Sequence, residues 1–190
     1  MRSNISFKRT ASPPLNSSVR RQGDISLAEI LIESALAEID RLGKPRPFLS
    51  AKFKASENDV SGAEAELGLF FPDSYRYFLL TLGSGDIGGV EFCGLIAGQP
   101  HVPEASNALW ISMQERQAGN LPTDLWVVEE LGDGAYACVE LQTGKGQEGR
   151  VVLWEPSESV DTNRQILAST FGQYFQDRIH FVVAAPRGAA

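Results

Sequence analysis

The sequence predicts an α+β fold: a mostly antiparallel sheet with helices packed against it, in a single domain. Three observations carry that expectation. Helical patterns come first, strand patterns cluster in the middle, and a helical pattern returns near the end. Neighbouring strand patterns are joined by short turns, whereas parallel strands need long crossover helices. A chain of 190 residues with 43% hydrophobic content suits one domain with a substantial core.

The elements follow in order. Residues 1–23 read as a flexible basic arm, with Pro13–Pro14, many serines and few large apolar residues. A helix is predicted over 26–42. Ser26 and Glu29 make a capping box, and Ala28, Ile32, Ala35, Leu36, Ile39 and Leu42 share one stripe. Gly43 and the following Lys-Pro-Arg-Pro stop it. A second helix begins near Ser56, with Asp59 as its capping partner, Val60, Ala63 and Leu67 on one face, and Gly68 at its end. The stretch "FFPDSYRYFLLTLGSG" (70–85) starts a third. Pro72 suits the first helical position, and Asp73 meets the positive end of the helix dipole. Tyr75, Phe78, Leu79 and Leu82 fall at i, i+3, i+4 and i+7, and Gly83 and Gly85 close the helix.

After these glycines the period changes. "VEFCGL" (90–95) reads as a strand and "PEASNALWISMQERQ" (103–117) as a helix opened by proline. "LWVVEE" (125–130) and "AYACVEL" (135–141) are strands flanking Asp133–Gly134, a pair suited to a primed hairpin turn. "RVVLW" (150–154) is a further strand. Thr170 and Gln173 cap a last helix, with Leu167, Phe171, Tyr174, Phe175 and Arg178 on one face. "FVVAA" (181–185) reads as an edge strand or a packed tail, and 186–190 as a tail. The folded domain thus spans 24–185.

Composition narrows the function. Cys93 and Cys138 lie 45 residues apart with no histidine at metal-ligand spacing, which excludes a disulfide framework and argues against structural zinc. They read as buried thiols in a reducing compartment. No apolar run reaches the roughly 20 residues of a membrane helix, and the N-terminus lacks the apolar core of a secretion signal. The Ser- and Arg-rich arm faintly resembles a transit peptide, but the reading favoured is a basic tail on a cytoplasmic protein. Residues 1–23 carry five of the 17 basic residues and none of the 24 acidic ones, so the remainder holds 12 basic and 24 acidic groups, net −12. Such a body repels nucleic acid directly and suits a basic partner.

The order of these parts resembles the SUKH superfamily, which includes bacterial immunity proteins and the fungal Smi/Knr cell-wall regulators. The resemblance rests on "ELGLFFP", "PDSYRYFLLTLGSG", "FCGL", "LPTDLWVVEELGDGAYACVEL", "GRVVLWEP" and "STFGQYFQDRI", and covers about residues 55 to 179. The motif positions are Pro72, Tyr75, Phe78, Leu79, Gly132, Asp133, Gly134, Trp154, Phe171 and Phe175, most of them structural in character. Phe71 stands where leucine is usual, and "GSG" (83–85) replaces an Asn-Gly-Gly turn, which removes any role of that asparagine side chain. The resemblance implies binding and not catalysis. Bacterial members of this kind sit on a toxin domain, often a nuclease, and bring no catalytic residues to carry over.

The residues themselves offer little for chemistry. Ser84 in "GSGDIGG" lacks the glycine spacing of a serine-hydrolase elbow, and the same stretch lacks the Gly-Lys-Ser/Thr ending of a phosphate loop, so it reads as a helix stop and linker. His101 and His180 are the only imidazoles. No catalytic residue, cofactor or metal ligand is assigned. The expected partner is a protein, a basic toxin domain. The candidate contacts are acids on or near turns (Asp86, Glu91, Glu129, Glu130, Asp133 and Glu155, with Glu158 and Asp161 beyond them) and the indoles of Trp110 and Trp154. A regulatory adaptor that uses the basic arm is the alternative, and an unrecognised hydrolase a third reading.

Overall fold

The structure, a computed structural model, describes residues 26–41, 54–99, 101–156 and 164–184. The basic arm, Leu42, Gly43, Glu158, Asp161, Ala185, the tail 186–190 and the side chain of Ala28 lie outside these residues.

Five helices and one six-stranded antiparallel sheet make the fold. Helix α1 (Leu27–Arg41) opens with the expected capping box: the Glu29 backbone N–H donates to Ser26 Oγ, and the Ser26 N–H donates to the Glu29 carboxylate at 2.7 Å. Ile32, Ala35, Leu36 and Ile39 are its buried stripe. Helix α2 (Glu57–Leu67) repeats the device with Ser56 and Asp59, and ends on Gly68 in the left-handed conformation. Helix α3 (Asp73–Thr81) starts one residue later than expected, so Pro72 is its N-cap. Tyr75, Phe78, Leu79 and Leu82 are all buried.

The sheet is a meander in chain order: β1 (Gly85–Ile87), β2 (Val90–Phe92), β3 (Leu125–Gly132), β4 (Ala135–Glu140), β5 (Val151–Trp154) and β6 (Ile166–Ala168). Two of these strands depart from the sequence reading. "GSGDIGG" is no linker: Ile87 and Val90 pair across a turn at Gly88–Gly89, both with positive φ, as a primed hairpin requires. Leu167 belongs to β6 and not to the last helix. Helix α4 (Ala108–Gln117) begins five residues after Pro103, because Asn107 caps it by accepting from the N–H groups of Leu109 and Trp110. Helix α5 (Phe171–Ala184) opens with Thr170 Oγ1 accepting from the Gln173 N–H at 3.1 Å, and "FVVA" simply continues it. The Gly88 turn is where its far end lands. A Cβ there would come within 2.2 Å of Val182.

Helices cover both faces. Helices α1, α3 and α5 form one layer. Phe78 and Phe175 pack on Phe92 of β2, and Phe71 meets Trp126 of β3 edge-on at 4.9 Å. Helix α4 lies against the other face, where Ser112 Oγ accepts from the Val127 N–H at 3.1 Å. One buried hydroxyl ties the first layer to the sheet. Tyr75 Oη accepts from Trp126 Nε1 and donates to the Cys93 carbonyl, both at 2.9 Å. Burial pushes this phenol well above its ordinary pKa, so it stays protonated and can donate.

At the far edge, Arg164 pins the start of β6 to the start of β3 with two bonds to Asp124, at 2.7 and 3.1 Å, and lies 3.7 Å from Glu140. The Arg164 hydrogen bond holds the Asp124 carboxyl below the usual carboxylate range. A depressed folded pKa adds stability above the unfolded value, about 3.9, and that stability drains away as pH falls through the folded value.

Two outcomes are expected. Tyr75→Phe strands a buried indole N–H and a buried carbonyl, and should cost about 2 kcal/mol, read as a fall of roughly 4–8 °C in Tm by calorimetry. Asp124→Asn should be less stable than the parent at pH 7, with the difference shrinking as denaturant midpoints are taken down through pH 4 to pH 2.

Candidate binding surface

The sheet register brings the sequence candidates into a row. Asp86 of β1 lies directly opposite Glu91 of β2. Phe92 pairs with Glu129, which sets Glu91 beside Glu130 of β3. Glu130 pairs with Tyr136 of β4, and Tyr136 with Trp154 of β5. Paired residues share a face, so Asp86, Glu91, Glu130, Tyr136 and Trp154 cross five strands on the α4 side.

Two irregularities in β3 create this row. Register shifts fall between Glu130 and Gly132 and between Val127 and Glu129. An unbroken pairing from the Asp133–Gly134 turn would put Tyr136 opposite Leu131 and turn Glu130 the other way. The extra residue at Leu131 reverses the facing of the two glutamates, and the second shift restores the alternation for Val127 and Trp126. Glu130 thereby faces solvent on the α4 side, and Glu129 turns in under α5.

Glu129 therefore departs from the expected surface placement. It is 3% exposed. Its carboxylate takes two bonds from Arg178, at 3.0 and 2.5 Å, and one from Tyr174 Oη at 2.7 Å. It is a structural anchor for α5 and cannot touch a partner. Trp154 is also buried, with its Nε1 donating to the Asn120 carbonyl at 2.6 Å beyond the end of α4. It backs the row from beneath. Trp110 is half-buried against the core in the first turn of α4. Asp133 and Glu155 come together across a shallow depression of about 390 Å³ at the hairpin tip. Asp133 holds φ at 52°, as the primed turn demands.

The sequence reading missed two members of this surface. Tyr136 Oη donates to Glu115 of α4 at 3.1 Å, and burial together with that carboxylate pushes the phenol up to about 12. Glu115 also accepts from Asn120. Alternation within "AYACVEL" marks Tyr136 as a face-sharing partner of Cys138, but the bulge that aligns it with Glu130 leaves no composition signal.

Among the described residues, neither Glu91 nor Glu130 has a hydrogen-bonded or ion-paired side-chain partner. Asp86 accepts from the Gly89 N–H at 3.2 Å. Three carboxylates thus lie side by side on adjacent strands, an arrangement that costs stability. No group of three or more metal-binding side chains occurs among the described residues. Burial pushes both thiols, Cys93 and Cys138, up and away from the reactive thiolate. His101 lies 3.7 Å from Glu66 and His180 lies 2.9 Å from Glu38, each on an exposed surface. Ser84 is buried, with its hydroxyl unpaired.

The architecture is a single antiparallel meander with helices on both faces and a carboxylate row exposed on one. The family model for SUKH_5 (SMI1-KNR4 cell-wall) matches residues 31–180, and the chain belongs to that family. The match begins inside α1, so most of that helix falls within the family domain, beyond the reach of the motifs at 55–179. A crystal structure of a protein from Pseudomonas syringae pv. tomato is similar at 21% identity and a TM-score of 0.48, over 68% of this chain and 90% of that one. No curated protein matches the chain.

Relieving the row should stabilise the fold. Glu91→Lys is expected to raise stability by about 0.5–1 kcal/mol in urea titrations, because it converts two like-charge neighbours into opposite-charge ones. The gain should shrink at high salt, where exposed charges are screened.

Proposed function

We propose that this chain is a non-enzymatic binding protein of the immunity type, which neutralises a toxin domain by covering a basic surface of it. The observation that carries the reading is the unneutralised row Asp86–Glu91–Glu130, kept in spite of its cost to the sheet. A face like this gains on-rate and specificity against a cationic partner. Nuclease toxins fit, since they must bind phosphate backbones. The body outside the arm has a net charge of −12, so its long-range field favours the same partner. Family membership supports a binding role at a coarser level.

A second reading is supported by the arm, whose five basic residues are unaccompanied by any acid. On that reading the chain is a regulatory adaptor, and the arm engages an acidic partner. Deleting residues 1–23 separates the two: it should spare toxin neutralisation and abolish adaptor binding.

The direct test is calorimetry against the C-terminal domain encoded immediately upstream, at low and high salt. Tight binding is expected, weakening as salt rises. Glu91→Lys together with Glu130→Lys should weaken it by about thirtyfold to a thousandfold, as each charge pair lost at an interface is worth about 1–2 kcal/mol. Absence of binding, or binding indifferent to both substitutions, would overturn the row as the contact surface.

A further inference from the structure

A second surface lies on the opposite side of the sheet. Leu131, Leu167, Tyr174, Asp177, Arg178 and Phe181 line an open groove of about 280 Å³. Its walls include two of the large apolar side chains that the fold leaves exposed, Leu131 at 38% and Phe181 at 66%. Leu131 is exposed because it is the extra residue of the bulge in β3. The remaining walls are fixed in advance. Glu129 holds both Tyr174 and Arg178, and the Arg178 guanidinium lies 5.6 Å from the centre of the Phe181 ring. A groove whose walls are already ordered loses little entropy when filled.

Its charge selects the occupant. Arg178 is neutralised by Glu129, which leaves Asp177 as the uncompensated charge of the lining. Asp133, in the turn two residues beyond Leu131, faces Glu155 across a separate depression at the hairpin tip. An apolar slot with Asp177 in its wall, and Asp133 two residues along the chain from Leu131, favours an apolar side chain flanked by cations and disfavours one flanked by acids.

We propose that this groove accepts a large apolar side chain carried on a Lys/Arg-rich segment of a protein partner, as the anchor of the interaction. The cationic character of the partner rests on the functional reading above, while the groove itself does not depend on it. The row on the α4 face would then set attraction and orientation, and the groove would set the residence time.

The test uses the full chain with isotope-labelled leucine methyl groups and three synthetic peptides. These are Ac-Gly-Lys-Arg-Phe-Lys-Arg-Gly-NH2, the same peptide with alanine for phenylalanine, and the same peptide with its four basic residues replaced by glutamate. The first should shift the Leu131 and Leu167 methyl resonances saturably. The alanine and glutamate peptides should bind at least about tenfold more weakly. Leu131→Ser and Phe181→Ser, both at exposed positions, should each abolish the shift of the Leu167 methyl resonances. Glu104→Gln, at an exposed acid outside both the row and the groove, should leave the affinity within about twofold. No saturable shift overturns the proposal, as does equal binding of the glutamate peptide. Sedimentation showing a dimer that Phe181→Ser dissolves also overturns it, because a second copy would then be the occupant. Failure of the two readings is distinguishable. Peptide binding without binding of the upstream toxin domain sinks the immunity reading and leaves the groove. Toxin binding undiminished by Leu131→Ser and Phe181→Ser sinks the groove and leaves the immunity reading.

Discussion

The layers of this protein meet at one phenol. Tyr75 sits on α3 with its hydroxyl buried between two strands, and it answers the polar needs of both: the Trp126 indole N–H on β3 and the Cys93 carbonyl just past β2. Around it Phe71, Phe78 and Phe171 pack at ring-centre distances of 4.9 to 5.9 Å from its ring or from that of Trp126. Such ring pairs add about 0.5–1.5 kcal/mol each beyond their burial, and a buried polar atom without a partner would cost more than any one of them. The aromatic cluster can therefore be this dense only because its polar atoms are satisfied. It sets the position of β3, and with β3 the two surfaces that the strand divides.

Those surfaces come from a single irregular strand. Glu129 and Glu130 are adjacent and chemically identical, yet one is a buried anchor and the other an exposed charge. Neither fate follows from residue type. It follows from the bulge at Leu131, which also leaves that leucine without a place in the core. One inserted residue thus exposes a carboxylate on one face, buries a carboxylate under α5 on the other, and lends an apolar wall to the groove.

Much of this fold was legible in the sequence, because the signals are local. Ser26 with Glu29 and Ser56 with Asp59 announce helices through bonds that span only three residues. The stripe of Tyr75, Phe78, Leu79 and Leu82 repeats at the helical period, and Asp133–Gly134 names its own turn. What was not legible depends on the distant chain. Strand β1 has three residues and is held by its neighbour, so "GSGDIGG" read as a linker although its Gly88–Gly89 pair marks a hairpin. Helix α4 starts later than Pro103 suggests, because Asn107 caps it. In the candidate surface, charge type was visible but facing was not. Alternation cannot register a bulge, so Glu129 reads as a surface acid like Glu91 and Glu130, and Tyr136 carries no local signal because its partners lie on β3, β5 and α4.

Both edge strands of the sheet are short. Strands β1 and β6 have three residues each, against eight in β3. An open sheet offers unpaired backbone groups along its margins, a standing invitation for other chains to add themselves. Here each margin presents too few such groups to template growth. The β1 margin also carries Asp86, whose charge would lie against that of the same residue in an incoming copy, and Arg164 pins the approach to β6. Short margins, and a like charge at β1, weigh against copies adding themselves edge to edge and leave the flanks of this unclosed sheet to other contacts.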